Sequence, residues 1–465
     1  MTADIRSTPA SRGRIIVGGL LLCASACAAP LLFGAATNRS VAALLVVVAL
    51  SLFLAPAPRT RWNRCLFGLT AAGFLVYGLM AAAQLLLVGR FFPIDLLSEV
   101  EAVLDIPAAG GTLNTARASD ALTRAALVAG ALLCGILYGQ SRRFAYVYLA
   151  AIAVSGLTIV IGALVLFHIE PGNVLWQPKR AYLRDFTTTF VSRGAAGAWL
   201  GLVAVTSLVL LVRRVSRLLA NDIPDGGGAL RRTVAATLES PLQILVLLAG
   251  LLVPAYGLLL SESRLALIVV CIHVVGLALF LLVFAGRHNP VVGIGIGVLI
   301  VGAGSALLWA GGAGIAQRLF ESNLTADGRW AIWQSTLAGI AERPFLGYGV
   351  GTLRDGFALF RSEQLIGFGE IRSAHSLPLE LAFESGAAIA SLFSAAWAAA
   401  CVALAAGVLR LDKFDGLSAA ALAAATGAAF FTALDVASQS FGYVLPMLVM
   451  VGLGLAQMAH RVRRD

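Results

Sequence analysis

The sequence predicts an all-α polytopic membrane protein of about twelve transmembrane helices with a large periplasmic loop before the tenth. Three observations predict it. Of 465 residues, 59% are hydrophobic and only 12% charged, with a mean hydropathy of +0.89, far from the composition of a soluble globular domain. Apolar runs approach the roughly 20 residues needed to cross a bilayer, again and again along the chain. With a cytoplasmic N-terminus, every connector on the inner side is basic, as the positive-inside rule requires.

In order, the first span covers 15–33, after Arg6, Arg12 and Arg14. Ala24-Ser25-Ala26-Cys27 resembles a lipoprotein cleavage site, but the apolar run continues to Phe33, so this segment reads as a helix. Spans at 41–55 and 65–88 flank an inner connector with Arg59, Arg61 and Arg64. The outer segment 89–120, with Asp95, Glu99, Glu101 and Asp105, is expected to lie against the membrane surface. Spans at 121–139 and 144–167 enclose Arg142 and Arg143, and a sixth span, 190–212, carries Arg193 at its outer end. Residues 213–240 contain Arg213, Arg214, Arg217, Arg231, Arg232, Pro224 and Gly226-Gly227-Gly228, the composition of a flexible cytoplasmic linker. The linker divides the chain into an N-terminal six-helix half, 1–212, and a C-terminal half, 241–465.

In the second half, spans at 242–260 and 265–284 are joined by an outer turn ending in Ser261-Glu262-Ser263-Arg264. A ninth span, 291–309, follows the inner Arg287 and precedes the periplasmic loop 310–386. The spans 387–409, 417–434 and 443–459 complete the count, with Arg410 and Lys413, then Arg461, Arg463 and Arg464, on the inner side. The net charge of +10 is therefore spread over short connectors beside anionic headgroups, which argues for membrane lipids as neighbours and against nucleic acid. The six cysteines fall in or beside apolar spans and show neither disulfide nor zinc spacing.

The loop 310–386 is too long for a turn, and loops of that length are functional or disordered. Asp327-Gly328-Arg329 opens a helical pattern in which Trp330, Trp333, Leu337 and Ile340 share one face, expected at the membrane interface, and Pro344 ends it. Gly347-Tyr348-Gly349-Val350-Gly351 reads as a tight backbone turn, since no strand precedes it, with phosphate binding as the alternative. Arg354, Arg361 and Arg372 lead to Ala374-His375-Ser376-Leu377-Pro378, where a proline suits a first helical turn and places His375 at a helix start. Of the five histidines, only His168 and His375 reach the outer face. Snorkelling alone would explain Arg193 or Arg264 singly. Together at the depth of His375 they make a basic pocket suited to a diphosphate, which planar guanidinium groups grip bidentately. Glu380 and Glu384, four apart, either orient His375 or form a solvated face. No acidic cluster reads as a metal cage, so neither metal nor cofactor is expected.

Four stretches also resemble the bacterial O-antigen ligases and their relatives, the O-antigen and exopolysaccharide polymerases. Phe190-Val191-Ser192-Arg193 with Ala198-Trp199-Leu200 is similar to that family's Phe-Val-Asn-Arg-Asn stretch, and Ser263-Arg264 to its second arginine motif. Gly328-Arg329-Trp330 through Pro344, Gly347, Gly349 and Phe357 resembles the third. Ala374-His375 through Leu379-Glu380 and Glu384-Ser385-Gly386 resembles its His-Asn-x-x-Leu-Glu element. Ser192, Gly194 and Ser376 depart from the family's asparagines.

The resemblance implies an inner-membrane glycosyltransferase of lipopolysaccharide or exopolysaccharide biosynthesis, acting at the periplasmic face on an undecaprenyl-diphosphate-linked glycan donor. The acceptor is lipid A-core for a ligase, the favoured reading, or another lipid-linked glycan for a polymerase. Arg193 and Arg264 would meet the diphosphate, with Arg329 as helper and Arg372 and Glu380 in the substrate-binding set, and His375 would act on the acceptor hydroxyl. A flippase or exporter would place ionisable residues along a transmembrane path, and a scaffold would need no arginines at the outer interface. The polar cluster here is one-sided.

Overall fold

The computed structural model describes residues 9–85, 112–179, 181–220, 241–286, 302, 328–409 and 415–458. They form an all-α polytopic bundle. Eight helices among the described residues are long and apolar enough to cross a membrane. The chain runs through α1 (Pro9–Ala28), α2 (Asn38–Phe53), α3 (Arg61–Ala83), α4 (Thr115–Tyr138), α5 (Arg142–Ile169), α6 (Arg193–Ala220), α7 (Pro241–Leu260) and α8 (Arg264–Gly286). After these come the loop helices α9 (Arg329–Glu342) and α10 (Leu377–Ser385), then α11 (Ala387–Leu409), α12 (Gly416–Leu434) and α13 (Phe441–Gln457). A two-residue hairpin, β1 (Asn173–Val174) with β2 (Gln177–Pro178), sits in the α5–α6 connector.

Eleven of the expected spans overlap these helices along most of their length. The ninth, 291–309, lies outside the described residues except for residue 302, as do Pro224 and Gly226–Gly228 of the expected linker, Arg287, His288 and His460. Three elements moved, the first being α1, which covers Pro9–Ala28 where 15–33 was expected. Asn114 caps α4 by accepting the amide of Arg117, so Arg117 and Asp120 ride on a helix where a surface segment was expected. Likewise, α6 runs on to Ala220, through the first residues of the expected linker.

α13 is the axis of the bundle. It is buried along its whole length and packs against α4 and α12. Apolar burial is no driving force between helices in lipid, so close backbone approach must supply the packing. Gly135 of α4 lies directly against Gly452 and the Val449 carbonyl of α13, with no room for a Cβ. The two halves of the sequence therefore interlock, the last helix of one packed against the fourth of the other.

The two ends of the bundle differ chemically. At one end, Gln140 accepts from the Arg59 amide at 2.7 Å and Arg142 pairs with Asp415 at 3.1 Å, among Arg61, Arg64, Arg143, Arg213 and Arg214. At the other end the connectors 29–37, 170–192, 261–263 and 435–440 pack together. Phe190 fills the space above Gly34 and Gly442, the Phe186 amide donates to the Leu260 carbonyl at 3.0 Å, and Arg124 donates to the Ala36 carbonyl at 3.3 Å. The loop 328–386 joins this second end.

Candidate functional site

Arg193, Arg264 and Arg329 are each the first residue of a helix, α6, α8 and α9, and none of those helices has an acid in its first turn. A cation at a helix N-terminus adds to the positive end of the macrodipole instead of neutralising it. Helix N-termini of this kind favour an anion, an effect that the Asp185 and Asp435 carboxylates offset in part at the start of α6. α6 and α8 meet directly, because Gly197 sits against Ser263 and Ala266 with no space for a side chain. Arg193 is positioned by Asp185, Nη1 to Oδ2 at 3.2 Å, and its guanidinium lies 5.3 Å from the centre of the Tyr182 ring.

The α12–α13 connector, residues 435–440, is where the pieces converge. Arg329 Nη1 donates to the Leu434 carbonyl at 3.1 Å. The Asp435 carboxylate lies against Gly194, in the space a side chain there would need, and Oδ1 accepts the Val436 amide at 2.6 Å. Arg124 reaches the Gln439 carbonyl at 3.4 Å, and the Gln439 side chain bonds Glu380. Glu380 in turn accepts from Ser373 Oγ and, at 2.9 Å, from the Ala374 amide.

His375 is half-buried at the start of α10, and its backbone is fixed from several sides. Its amide donates to Ser373 Oγ at 3.0 Å, and the preceding carbonyl accepts Trp333 Nε1 at 2.9 Å. Its φ of +52° is unusual for a residue with a side chain and persists only where the surroundings over-determine it. Burial pushes the Glu380 carboxyl above the usual carboxylate range, partly offset by its bonds to Ser373, Ala374 and Gln439. Glu384 is pushed up to about 7 by burial and then by the charge of Glu380, against the amides of Leu353 and Gly351. Both carboxylates therefore point into the loop, where the sequence left a solvated face open.

The glycine run is a turn whose amides are already used. Tyr348 donates to the Phe383 carbonyl at 3.0 Å, Gly349 to that of Glu384 at 3.0 Å, and Val350 to Gln84 Oε1 at 3.1 Å. Positive φ at Gly347, Gly349 and Gly351, each crowded by neighbouring backbone or side chains, explains the glycines without a phosphate. The face expected of α9 is split: Trp330 and Leu337 are exposed, Trp333 turns inward to Ala374, and Ile340 packs on the loop's core.

The structure does not gather every residue singled out from the sequence. Arg372 is exposed and pairs with Glu370 at 3.0 Å, and Arg354 pairs with the same carboxylate. His168 ends α5, with Nδ1 2.7 Å from the Leu164 carbonyl. Sequence reasoning missed Asp185, Asp435, Gln439, Arg124 and Gln84. Only Asp435 left a signal, an acid in a short outer connector between two apolar spans.

Residues 244–394 match the family model described as O-antigen ligase. The match takes in Arg264, Arg329, Arg372, His375 and Glu380, and stops short of Arg193 and Asp435. No curated protein matches the chain.

Proposed function

From a chain that carries an O-antigen ligase family domain over residues 244–394, we propose a periplasm-facing inner-membrane glycosyltransferase whose donor is an undecaprenyl-diphosphate-linked glycan. The family makes it a membrane enzyme of O-antigen or polysaccharide assembly. One observation supports the finer reading above the rest: Arg329 and the start of α6 at Arg193 reach one connector, α8 with Arg264 packs against α6, and the same connector bonds Glu380, which supports His375 through Ser373.

In this reading Arg193 and Arg264 hold the diphosphate, and Arg329, tethered to the end of α12, approaches the same anion. The acceptor hydroxyl attacks the anomeric carbon; the new glycosidic C–O bond forms as the bond to the diphosphate oxygen breaks. The hydroxyl proton passes to His375, and the electron pair leaves with the lipid diphosphate. Negative charge grows on that leaving group, so each preorganised cation lowers the barrier, by about 3–4 kcal/mol on the scale of a single oxyanion-hole donor. Glu380 sets the His375 backbone through Ser373 and Ala374.

Ligation to lipid A-core and polymerisation of lipid-linked repeats use the same donor chemistry and differ in acceptor. Incubating purified protein with undecaprenyl-diphosphate glycan and each acceptor separately tests the proposal. Product on lipid A-core is expected. Product only on a second lipid-linked glycan would make the protein a polymerase, and release of diphosphate with neither would overturn the transferase reading.

A further inference from the structure

A second polar recess lies at the outer ends of α2 and α4. It is lined by Asn38, Arg39, Ala42, Asp120 and Thr123, with a volume of about 280 Å³. Arg39 and Ala42 are three apart on α2, as are Asp120 and Thr123 on α4, so each pair presents one helical face to the groove. The walls are tied together: Asn38 Nδ2 donates to Asp120 Oδ2 at 2.5 Å, and Asn38 Oδ1 accepts Arg124 Nη2 at 2.8 Å. Through its other nitrogen Arg124 reaches the Gln439 carbonyl, so the recess abuts the connector that carries Asp435.

We propose that this recess is a sugar-binding subsite for the acceptor glycan, an inference that rests on the transferase reading above. Its lining carries both signs of charge, a guanidinium and a carboxylate, together with an amide and a hydroxyl. An anion would meet Asp120 and a cation would meet Arg39. A neutral polyol satisfies both, donating hydroxyls to the carboxylate and accepting from the guanidinium, with Ala42 as a small apolar floor for a C–H face. The volume, just below the roughly 300–1,000 Å³ of small-molecule sites, suits a short sugar segment and not a whole lipid.

Position favours the acceptor. The donor's diphosphate belongs at the starts of α6 and α8, whereas the recess lies across the connector on the α2–α4 side, and Glu380, which supports His375, bonds Gln439 between them.

The test uses the full-length protein in nanodiscs and two variants, Ala42→Phe, which fills the recess, and Asp120→Asn, which keeps its shape while removing the charge. Three quantities are measured: calorimetric binding of the water-soluble acceptor oligosaccharide to donor-free protein, the acceptor KM at saturating donor, and donor affinity. Both variants should weaken oligosaccharide binding and raise the acceptor KM about tenfold or more, because a site built for hydroxyls discriminates through them. Donor affinity should stay within about twofold, well under the tenfold that 1.4 kcal/mol represents. Oligosaccharide binding unchanged in both variants, no binding by the wild type, or an equal loss of donor affinity would each overturn the subsite. Absence of transfer by the wild type would count against the transferase reading instead, and oligosaccharide binding would still decide the recess.

Discussion

The indole N–H of Trp333 donates to the carbonyl of Ala374 at 2.9 Å, which ties the helix that begins at Arg329 to the residue preceding His375. One helix thus carries a cation at its start and, a turn later, the bond that fixes the backbone of the proposed base. Trp333→Phe keeps most of the packing and removes the bond, a net loss of about 1 kcal/mol in stability. Single-turnover transfer should fall about tenfold, since misplacement of a reacting group is costly, while donor affinity is retained. Unaltered transfer would show that His375 is held without Trp333.

Gly194 gives a second test. The resemblance places an asparagine here, but the Asp435 carboxylate occupies the space a side chain would take. In isolation Gly194→Ala should raise helix stability by up to about 1 kcal/mol. In place, the added methyl must push Asp435 away from the start of α6. Transfer should drop by about 10–10²-fold with no loss in thermal stability, and combining Gly194→Ala with Asp435→Ala should cost little more than either alone. Additive losses would mean that the two residues act separately.

Glu384 makes the loop sensitive to pH. Its folded-state pKa of about 7 stands above the ordinary 4.5, so between those values the native protein binds more protons than the unfolded chain. Stability from this group is fully present below about 4.5 and is lost as pH rises through about 7. Amide exchange at Gly349, Val350 and Leu353 should therefore open more readily at pH 8 than at pH 5, after correction for intrinsic exchange. Glu384→Gln should flatten that difference. A steeper dependence in the variant would assign the titration to another group.

The bundle was legible because hydropathy and the basic connectors carry it directly: the expected and observed helices overlap wherever the described residues allow comparison, and differ at their ends. Arg193, Arg264 and Arg329 were also legible, as polar residues at the ends of helical patterns. Gln439 was not, and Asp435 showed only as an acid in a short outer connector, because the importance of both comes from the packing of α12–α13 against α6 and the loop, which no local spacing encodes. Gln84 shows the same limit, an amide at the end of a span whose partners, Leu346 and Glu384, lie in the distant loop. The Glu380–Glu384 pair had the right helical spacing but an ambiguous face, and only the loop's tertiary packing settled which way it turned.

In the proposed reaction arginines hold the diphosphate and a histidine takes the proton. Donor affinity and single-turnover transfer of Arg193→Ala, Arg264→Ala and His375→Ala, measured in nanodiscs at equal protein levels, separate these two roles. His375→Ala should bind the lipid-linked donor nearly as wild type while transfer falls by about 10²–10⁴-fold, the usual contribution of a positioned general base. Both arginine variants should lose donor affinity, and Arg264→Lys should recover little of it, since a single ammonium cannot reproduce the planar fork. If His375→Ala lost donor affinity as severely as Arg264→Ala, while bound donor still reacted at the normal rate, His375 would be a phosphate ligand and not the base.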